Sequence, residues 1–253
     1  MLRIDSRLRY LARGSKWPAH WQDYRSIAGH ASTARHRVDF LGVAGIGKTT
    51  FIRDLAMALG ERVPRCEKKE PLGEDWSVAF NEIYDKHFLL SQTEDQSWSN
   101  KHRRTAHLTD VIELEQKILR CGSDQLVING VGVLRHRLSY FSKQAATRPD
   151  FIRRLLSDRV VVLCVADDPV ARSIRGKKQR GDRDANRDGL DESVAYRVQK
   201  IQAAVEVLGS LGVPVLELNL DQSRPHAIAQ TARFMRDAGM DSPHLKRYAA
   251  KTQ

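Results

Sequence analysis

The sequence predicts an α/β fold in which a parallel sheet is covered by helices on both faces. Short apolar runs alternate along the chain with stretches of helical period, which is typical of strand–helix–strand units. The run Val160–Val165 is continuous and rich in β-branched residues, as central parallel strands are. A chain of 253 residues with 41% hydrophobic content can bury the core of one large domain.

Four short apolar runs are predicted as strands. They lie at 38–41, 126–128, 160–165 and 213–218. The first is broken only by Asp39, and the second follows Gly122. The longest unbroken apolar run, Val160–Ala166, is too short to cross a bilayer, so no transmembrane segment is predicted.

Helices are predicted where apolar residues recur three and four positions apart. They lie at 50–59, 79–90, 110–121, 134–156, 190–211 and 227–238. Asp110 and Glu113 form a capping box, Pro149 interrupts the fourth helix, and Gly239 ends the last. Residues 60–107 are polar and too long for a simple connection, so this insert is either functional or holds short helices of its own.

A glycine-rich loop, Gly42–Gly47, separates the first strand from its helix. The run Gly42-Val43-Ala44-Gly45-Ile46-Gly47-Lys48-Thr49-Thr50 contains G-x-x-x-x-G-K-[ST], which predicts a phosphate-binding loop in this setting. The glycines let the backbone wrap an anion, toward which N–H groups and the positive end of the helix point. Lys48 would reach the β- and γ-phosphates, and the Thr49 hydroxyl would ligate Mg²⁺. We therefore expect the run to bind a nucleoside triphosphate.

The segment after the third strand carries a second pattern. Asp167-Asp168-Pro169 is followed by a helix start, a basic loop, a long amphipathic helix and Gly212-Val213-Pro214-Val215. This order resembles the C-terminal half of P-loop nucleoside and nucleotide kinases, over about residues 38–238 without the insert. The resemblance implies a three-layer α/β/α P-loop NTPase fold with a helical acceptor insert, a basic lid, and ATP and Mg²⁺ as cofactors.

The predicted lid holds a dense cluster of positive charge. Residues 172–187 contain seven Lys or Arg and two acids. The planar fork of arginine suits the charge that develops in phosphoryl transfer. The leading catalytic candidates are Arg172, Arg175 and Arg180. Gly176 and Gly181 are predicted hinges, and the alternative is a solvated basic loop that touches no ligand.

The second strand ends in an amide where the kinase family usually has an acid that holds Mg²⁺. Asn129 is therefore a candidate metal ligand without charge, so either Mg²⁺ is held differently or activity is reduced. Gly130 and Gly132 predict a close backbone approach. Arg135 and Arg137 either face the phosphates or lie on a helix surface.

The insert is expected to hold the acceptor and a catalytic base. Glu70 is followed by proline and, six residues on, by Trp76, which resembles the catalytic glutamate region of deoxynucleoside kinases. Glu67 is the rival base, and both acids could instead be surface residues of a charged loop. Arg103 and Arg104 are either ligands of an acceptor phosphate or solvated.

Charge and cysteine content indicate which partners and which cellular compartment to expect. The formal net charge is +11, and residues 1–37 hold eight Lys or Arg and two acids. Because the excess lies in two segments and only 7% of residues are aromatic, nucleic acid is not the expected partner. Trp17 and Trp21 share a helical face that either packs on the domain, which we favour, or contacts a membrane surface or an acidic partner. Three cysteines without metal-ligand spacing indicate a reducing cytoplasm.

These observations predict a basic N-terminal extension at 1–37, a kinase-like domain at 38–240 and a tail at 241–253. Within the domain, the insert is about 60–107 and the lid about 172–189. The expected function is an ATP-dependent small-molecule kinase for a nucleoside, nucleotide or sugar. The alternative is a regulatory NTPase or a non-catalytic P-loop protein. The choice between ATP and GTP, the acceptor and the oligomeric state stay open.

Overall fold

The fold is described from a computed structural model. The structure describes residues 24–27, 35–62, 73–93, 98–119, 126–130, 132–179, 181, 189–240, 245 and 248. The predicted base candidates Glu67 and Glu70, together with Arg180, Trp17 and Trp21, lie outside these ranges.

Four adjacent strands of the six-stranded sheet are parallel. The described strands are β1 (Tyr24–Ile27), β2 (Arg37–Leu41), β3 (Glu61–Arg62), β4 (Leu126–Asn129), β5 (Arg159–Val165) and β6 (Val215–Asn219). Their order across the sheet is β3-β1-β4-β2-β5-β6. The strands β4, β2, β5 and β6 are parallel, whereas β1 runs antiparallel to both β4 and β3. The four predicted strands are confirmed as this parallel set.

The described helices alternate with the strands as the periodicity predicts. They are α1 (Lys48–Ala58), α2 (Glu74–Thr93), α3 (Trp98–Leu119), α4 (Val133–His136), α5 (Leu138–Thr147), α6 (Pro149–Leu155), α7 (Pro169–Gln179), α8 (Leu190–Ser210) and α9 (Arg224–Asp237). Proline stands at the start of α6, where its missing N–H is no loss and its fixed φ suits the first turn.

Apolar side chains of β5 alternate between two cores, one on each face of the sheet. Val160 and Val162 pack with Phe51 of α1 and Met235 of α9. Val161 belongs to the other core, which the second helical layer completes with residues of α2, α3, α5, α6 and α8. Because successive strand residues point to opposite faces, one continuous apolar strand can serve both cores. The arrangement is compatible with a three-layer α/β/α fold.

Three features differ from the sequence expectation. The strand β1 comes from the N-terminal extension and joins the sheet beside β4, so the extension is not wholly outside the domain. The insert contains the long helix α2 and the first part of α3, which continues beyond the insert to Leu119. Asp110 lies inside α3, so the capping box predicted there does not start a helix. Among the described residues, no helix is both long enough and apolar enough to span a bilayer.

Candidate functional site

The glycine-rich loop lies at the carboxyl end of β2 and leads directly into α1. Gly42, Gly45 and Gly47 have φ angles of 133°, 90° and 108°, a region that side-chain-bearing residues rarely adopt. Gly42 also needs its small size, because a Cβ there would lie 2.7 Å from the carbonyl oxygen of Cys164 on β5. The backbone conformation therefore requires glycine at the three positions that the motif specifies or permits.

Lys48 lies over this loop. Its Nζ donates to the carbonyl oxygens of Gly42 at 2.6 Å and Val43 at 2.7 Å, and the residue is buried. The ammonium thus joins the beginning of the loop to the first turn of α1. Thr49 and Thr50 follow it and are exposed. These two bonds hold the lysine at the loop.

The N-terminus of α1 has the electrostatic character of an anion site. Within the described residues, no side chain caps it, and its first turn contains no acid. The unpaired N–H groups at a helix start and the helix dipole both favour negative charge there. Lys48, Arg172 and Arg224 also lie close enough to Cys164 to lower its pKa, although burial outweighs them and raises the pKa of that thiol to about 12. Positive charge therefore converges on this end of the sheet.

The helix α7, with which the predicted lid begins, packs directly on the glycine-rich loop. Ser173 Oγ donates to the carbonyl oxygen of Ala44 at 2.5 Å. A Cβ at Gly45 would lie 2.4 Å from the carbonyl oxygen of Ser173, and one at Gly176 would lie 2.3 Å from the carbonyl oxygen of Gly45. The two backbones can approach this closely only because both residues are glycine. Gly176 lies inside α7, so a close contact explains it better than the predicted hinge.

Arg172 joins α7 to the loop that follows β6. Its Nη1 donates to Asp221 Oδ1, while its Nη2 and Nε would lie 3.4 and 4.0 Å from a Cβ on Gly47. The guanidinium therefore lies against the residue that precedes α1. Of the other predicted lid arginines, Arg175 is exposed on α7 and Arg180 is outside the described residues. The structure thus brings both Lys48 and Arg172 to the glycine-rich loop.

A cavity of about 440 Å³ lies beside the glycine-rich loop, at the carboxyl ends of β5 and β6. Its walls are mixed. Apolar side chains such as Ile46, Val165 and Ile201 alternate with amide side chains such as Gln202 and Gln222. The volume lies in the range of small-molecule sites, and this edge of a parallel sheet is where such folds bind ligands.

Asn129, the predicted metal ligand, belongs to a buried network of charged groups. Its side-chain nitrogen donates to Asp39 Oδ1 at 2.9 Å, and Arg159 Nη1 donates to Asp39 Oδ2 at 2.9 Å. Arg159 Nη2 also donates to Glu115 Oε1 at 2.5 Å. Burial raises the pKa of Asp39, and the charge of Arg159 opposes that shift. The structure therefore gives Asn129 a partner in the core.

Gly132 shows the close approach that the sequence predicts, and this network is its cause. A Cβ on Gly132 would lie 2.0 Å from Asn129 Nδ2 and 2.5 Å from Glu115 Oε2. The same Glu115 oxygen accepts the backbone N–H of Val133 at 2.9 Å. Trp76, predicted beside the acceptor, is buried and stacks on the guanidinium of Arg159, with 4.7 Å from Cζ to the ring centroid.

The remaining arginine candidates are Arg135, Arg137, Arg103 and Arg104. Arg135 Nη1 donates to the carbonyl oxygen of Gly130 at 2.6 Å. Arg137 is partly buried, and this desolvation lowers the pKa of its guanidinium. Arg103 and Arg104 lie in α3, and their side chains are outside the described part of the chain.

The described residues fit magnesium only as an ion held mainly by a bound polyphosphate. Thr49, exposed at the start of α1, offers one hydroxyl oxygen. Asp39 and Asn129 are buried and bonded to each other. Across the described ranges, no group of three or more His, Cys, Asp and Glu side chains is placed to hold a metal ion. Mg²⁺ commonly keeps several waters and binds through substrate phosphates, which such a site allows.

Comparison of the chain with protein-family models finds no match. A search of curated protein sequences finds no significant similarity either. Any function must therefore be argued from the residues and their geometry.

Proposed function

We propose that the protein is an ATP-dependent small-molecule kinase that transfers the γ-phosphoryl group to a nucleoside, nucleotide or sugar. The observation that carries the proposal is the glycine-rich loop itself. Its three left-handed glycines, the lysine bonded across it and the start of α1, which no described side chain caps, coincide at the carboxyl end of a parallel strand. Each of these features favours a polyphosphate anion.

Two further observations support a nucleotide over a simple anion. The cavity beside the loop has room for a nucleoside and offers both apolar and amide contacts. Arg172 brings a second cation to the start of α1, where charge on a transferring phosphoryl group would need stabilisation. Mg²⁺ bound with the triphosphate would neutralise part of its charge, with Thr49 as the protein ligand.

The experiment is a screen of ATP consumption with purified protein over nucleosides, nucleoside monophosphates and sugars. We expect ADP release that depends on one class of acceptor. Lys48→Ala should abolish that activity and weaken ATP binding by about tenfold or more, because charge-assisted hydrogen bonds contribute about 1.5–3 kcal/mol.

Lys143→Ala is the matched control, because Lys143 is an exposed lysine on α5. It should leave both ATP binding and turnover unchanged. Acceptor-dependent ADP release that survives Lys48→Ala would contradict the proposal, as would failure of the wild-type protein to bind ATP at all.

A nucleotide-binding regulatory protein is the second candidate. The observation that favours it is that Asn129, which stands where the kinase family usually has a magnesium-binding acid, is buried and hydrogen-bonded to Asp39. ATP binding that Lys48→Ala abolishes, without turnover for any acceptor, would support this candidate over the kinase.

A further inference from the structure

The loop after β6 carries a carboxylate whose two oxygens have different partners. Asp221 Oδ2 accepts the backbone N–H of Asp167 at 2.8 Å, and Asp221 Oδ1 pairs with Arg172. The Asp221 N–H donates to Asn219 Oδ1 at 2.8 Å, and Asn219 Nδ2 donates to Asp167 Oδ1 at 2.7 Å. These bonds tie the ends of β5 and β6 together and fix the carboxylate before Arg172 reaches it.

The atoms of Arg172 that Asp221 leaves available form a phosphate-binding edge. Asp221 takes only Nη1, whereas Nη2 and Nε are the Arg172 atoms that would lie within 4.0 Å of a Cβ on Gly47. In arginine, Nε–H and one N–H of Nη2 point the same way and can bind two oxygens of one phosphate. Among the described residues, the guanidinium of Arg172 makes no other hydrogen bond or ion pair.

The anchor of α7 supports the same orientation. Asp168 Oδ1 accepts the backbone N–H of Ala171 at 2.9 Å, so the first turn of the helix is fixed beside Asp167. The side chains of Arg172 and Asp221 are 25% and 36% exposed, so a soluble anion can reach the pair.

We propose that Asp221 is a positioning residue, which holds Arg172 by Nη1 so that its Nε–Nη2 edge binds the terminal phosphate of a triphosphate at the start of α1. The inference rests on the proposed nucleotide binding and adds a residue to it. It assigns Asp221 no contact with the ligand, because its two oxygens are already used by Asp167 and Arg172.

The test compares the affinities of ATP and ADP, since only ATP has the terminal phosphate. Calorimetric titration gives the ratio of the ADP and ATP dissociation constants for the wild type, Asp221→Asn, Arg172→Ala and the double variant. We expect Asp221→Asn to lower the ratio about tenfold, which is the low end for loss of a charge-assisted contact. Arg172→Ala should lower it at least as far, and the double variant no further.

The sign of the change separates positioning from simple charge. If Asp221 acted only through its negative charge, its removal would reduce repulsion of the extra phosphate and would raise the ratio. Asp237→Asn is the matched control, because it removes one exposed acid at the end of α9 and should leave the ratio unchanged.

A further variant covers the case in which Asp221→Asn fails to fold, which thermal unfolding would show. Arg172→Lys keeps the charge but removes the two-pronged edge, so it should also lower the ratio. A ratio that is unchanged or raised by Asp221→Asn in folded protein overturns the inference and leaves nucleotide binding standing. Absence of ATP binding by the wild type overturns both proposals.

Discussion

Two arginine–aspartate pairs in this protein differ in burial, and the difference indicates what each one does. Arg159 pairs with Asp39 in the core, where the two side chains are 1% and 3% exposed. Arg172 pairs with Asp221 at the carboxyl end of the sheet, where the exposed fractions are 25% and 36%. The same two side-chain types therefore occupy opposite environments.

In the buried pair, the side-chain nitrogens of Arg159 contact neighbouring protein groups. Arg159 Nη1 and Nη2 donate to Asp39 and Glu115, Nε lies 3.4 Å from Asp158 Oδ1, and Trp76 covers the guanidinium. The exposed pair uses one nitrogen of Arg172 and leaves a two-nitrogen edge beside the glycine-rich loop. A buried charge must be compensated by other groups of the protein. An accessible charge can instead be compensated by a bound ligand.

Breaking the buried pair should have the largest effect on stability. Arg159→Met leaves Asp39 and Glu115 close together in the core without their cation, and removal of one partner of a buried pair costs about 3–5 kcal/mol. Urea unfolding measured at neutral pH checks this loss. Arg172→Met is the matched variant, and it should change the free energy of unfolding by less than about 1 kcal/mol, as exposed pairs do.

Equal losses of unfolding free energy in Arg159→Met and Arg172→Met would show that the two pairs do not differ in their contribution to stability. A triple variant, Arg159→Met with Asp39→Asn and Glu115→Gln, tests the buried pair further. It removes the uncompensated charges, so it should recover part of the stability that Arg159→Met loses.

Added side-chain volume at the contact between the glycine-rich loop and α7 should lower the stability of the protein by an intermediate amount. Gly176→Ala places a Cβ 2.3 Å from the carbonyl oxygen of Gly45, so the helix must move away. Overpacking of this kind costs about 1–3 kcal/mol. Because Arg172 is carried by the same helix, we also expect weaker ATP binding, measured by calorimetric titration beside thermal unfolding.

Gly209→Ala is the control for that variant. Gly209 is also helical, but its nearest neighbour for a Cβ is Val215 Cγ2 at 3.8 Å, an ordinary contact. Alanine should therefore stabilise α8 slightly, by up to about 1 kcal/mol. A Gly176→Ala protein as stable as the wild type would show that α7 is not seated on the loop as described.

The comparison also explains how much could be predicted from sequence. The four parallel strands and most helices follow from local periodicity, whereas β1 and β3 are not predicted. The left-handed glycines and Lys48 follow from one contiguous motif. The buried network has no local signal, because Arg159 is 120 residues from Asp39 and 44 from Glu115. Asn129 was therefore predicted as a metal ligand from its place at a strand end, without knowledge of Asp39 beside it.

Two residues of the candidate site were missed for different reasons. Asp221 has no local signal in the sequence, because its pairing with Arg172 depends on two loops meeting at the sheet edge. Gly176 was noticed but predicted as a hinge. Its spacing from Ser173 on one helix face is the signal that could have indicated a close contact with the small residues of the loop.

A third ion pair, Arg148–Glu82, is about as exposed as the Arg172–Asp221 pair and gives the smallest expected effect. Arg148 Nη1 lies 2.6 Å from Glu82 Oε1, with side chains 40% and 32% exposed, and Tyr140 donates to Glu82 Oε2 at 2.5 Å. Burial alone would raise the pKa of Glu82, but the bonds from Tyr140 and Arg148 outweigh it and lower the pKa below its ordinary value of 4.5.

A carboxyl whose pKa is lowered by folding stabilises the protein above its unfolded pKa and loses that contribution as the pH falls through its folded pKa. The contribution of Glu82 to stability should therefore be complete at neutral pH and disappear below about pH 4.5.

Because the pair is about one-third exposed, Glu82→Gln should lower the free energy of unfolding at pH 7 by less than about 1 kcal/mol. Urea unfolding of the wild type and Glu82→Gln from pH 7 to pH 3 should show the two proteins converging in acid. Curves that stay parallel over that range would mean that the charge of Glu82 contributes nothing to the stability of the protein.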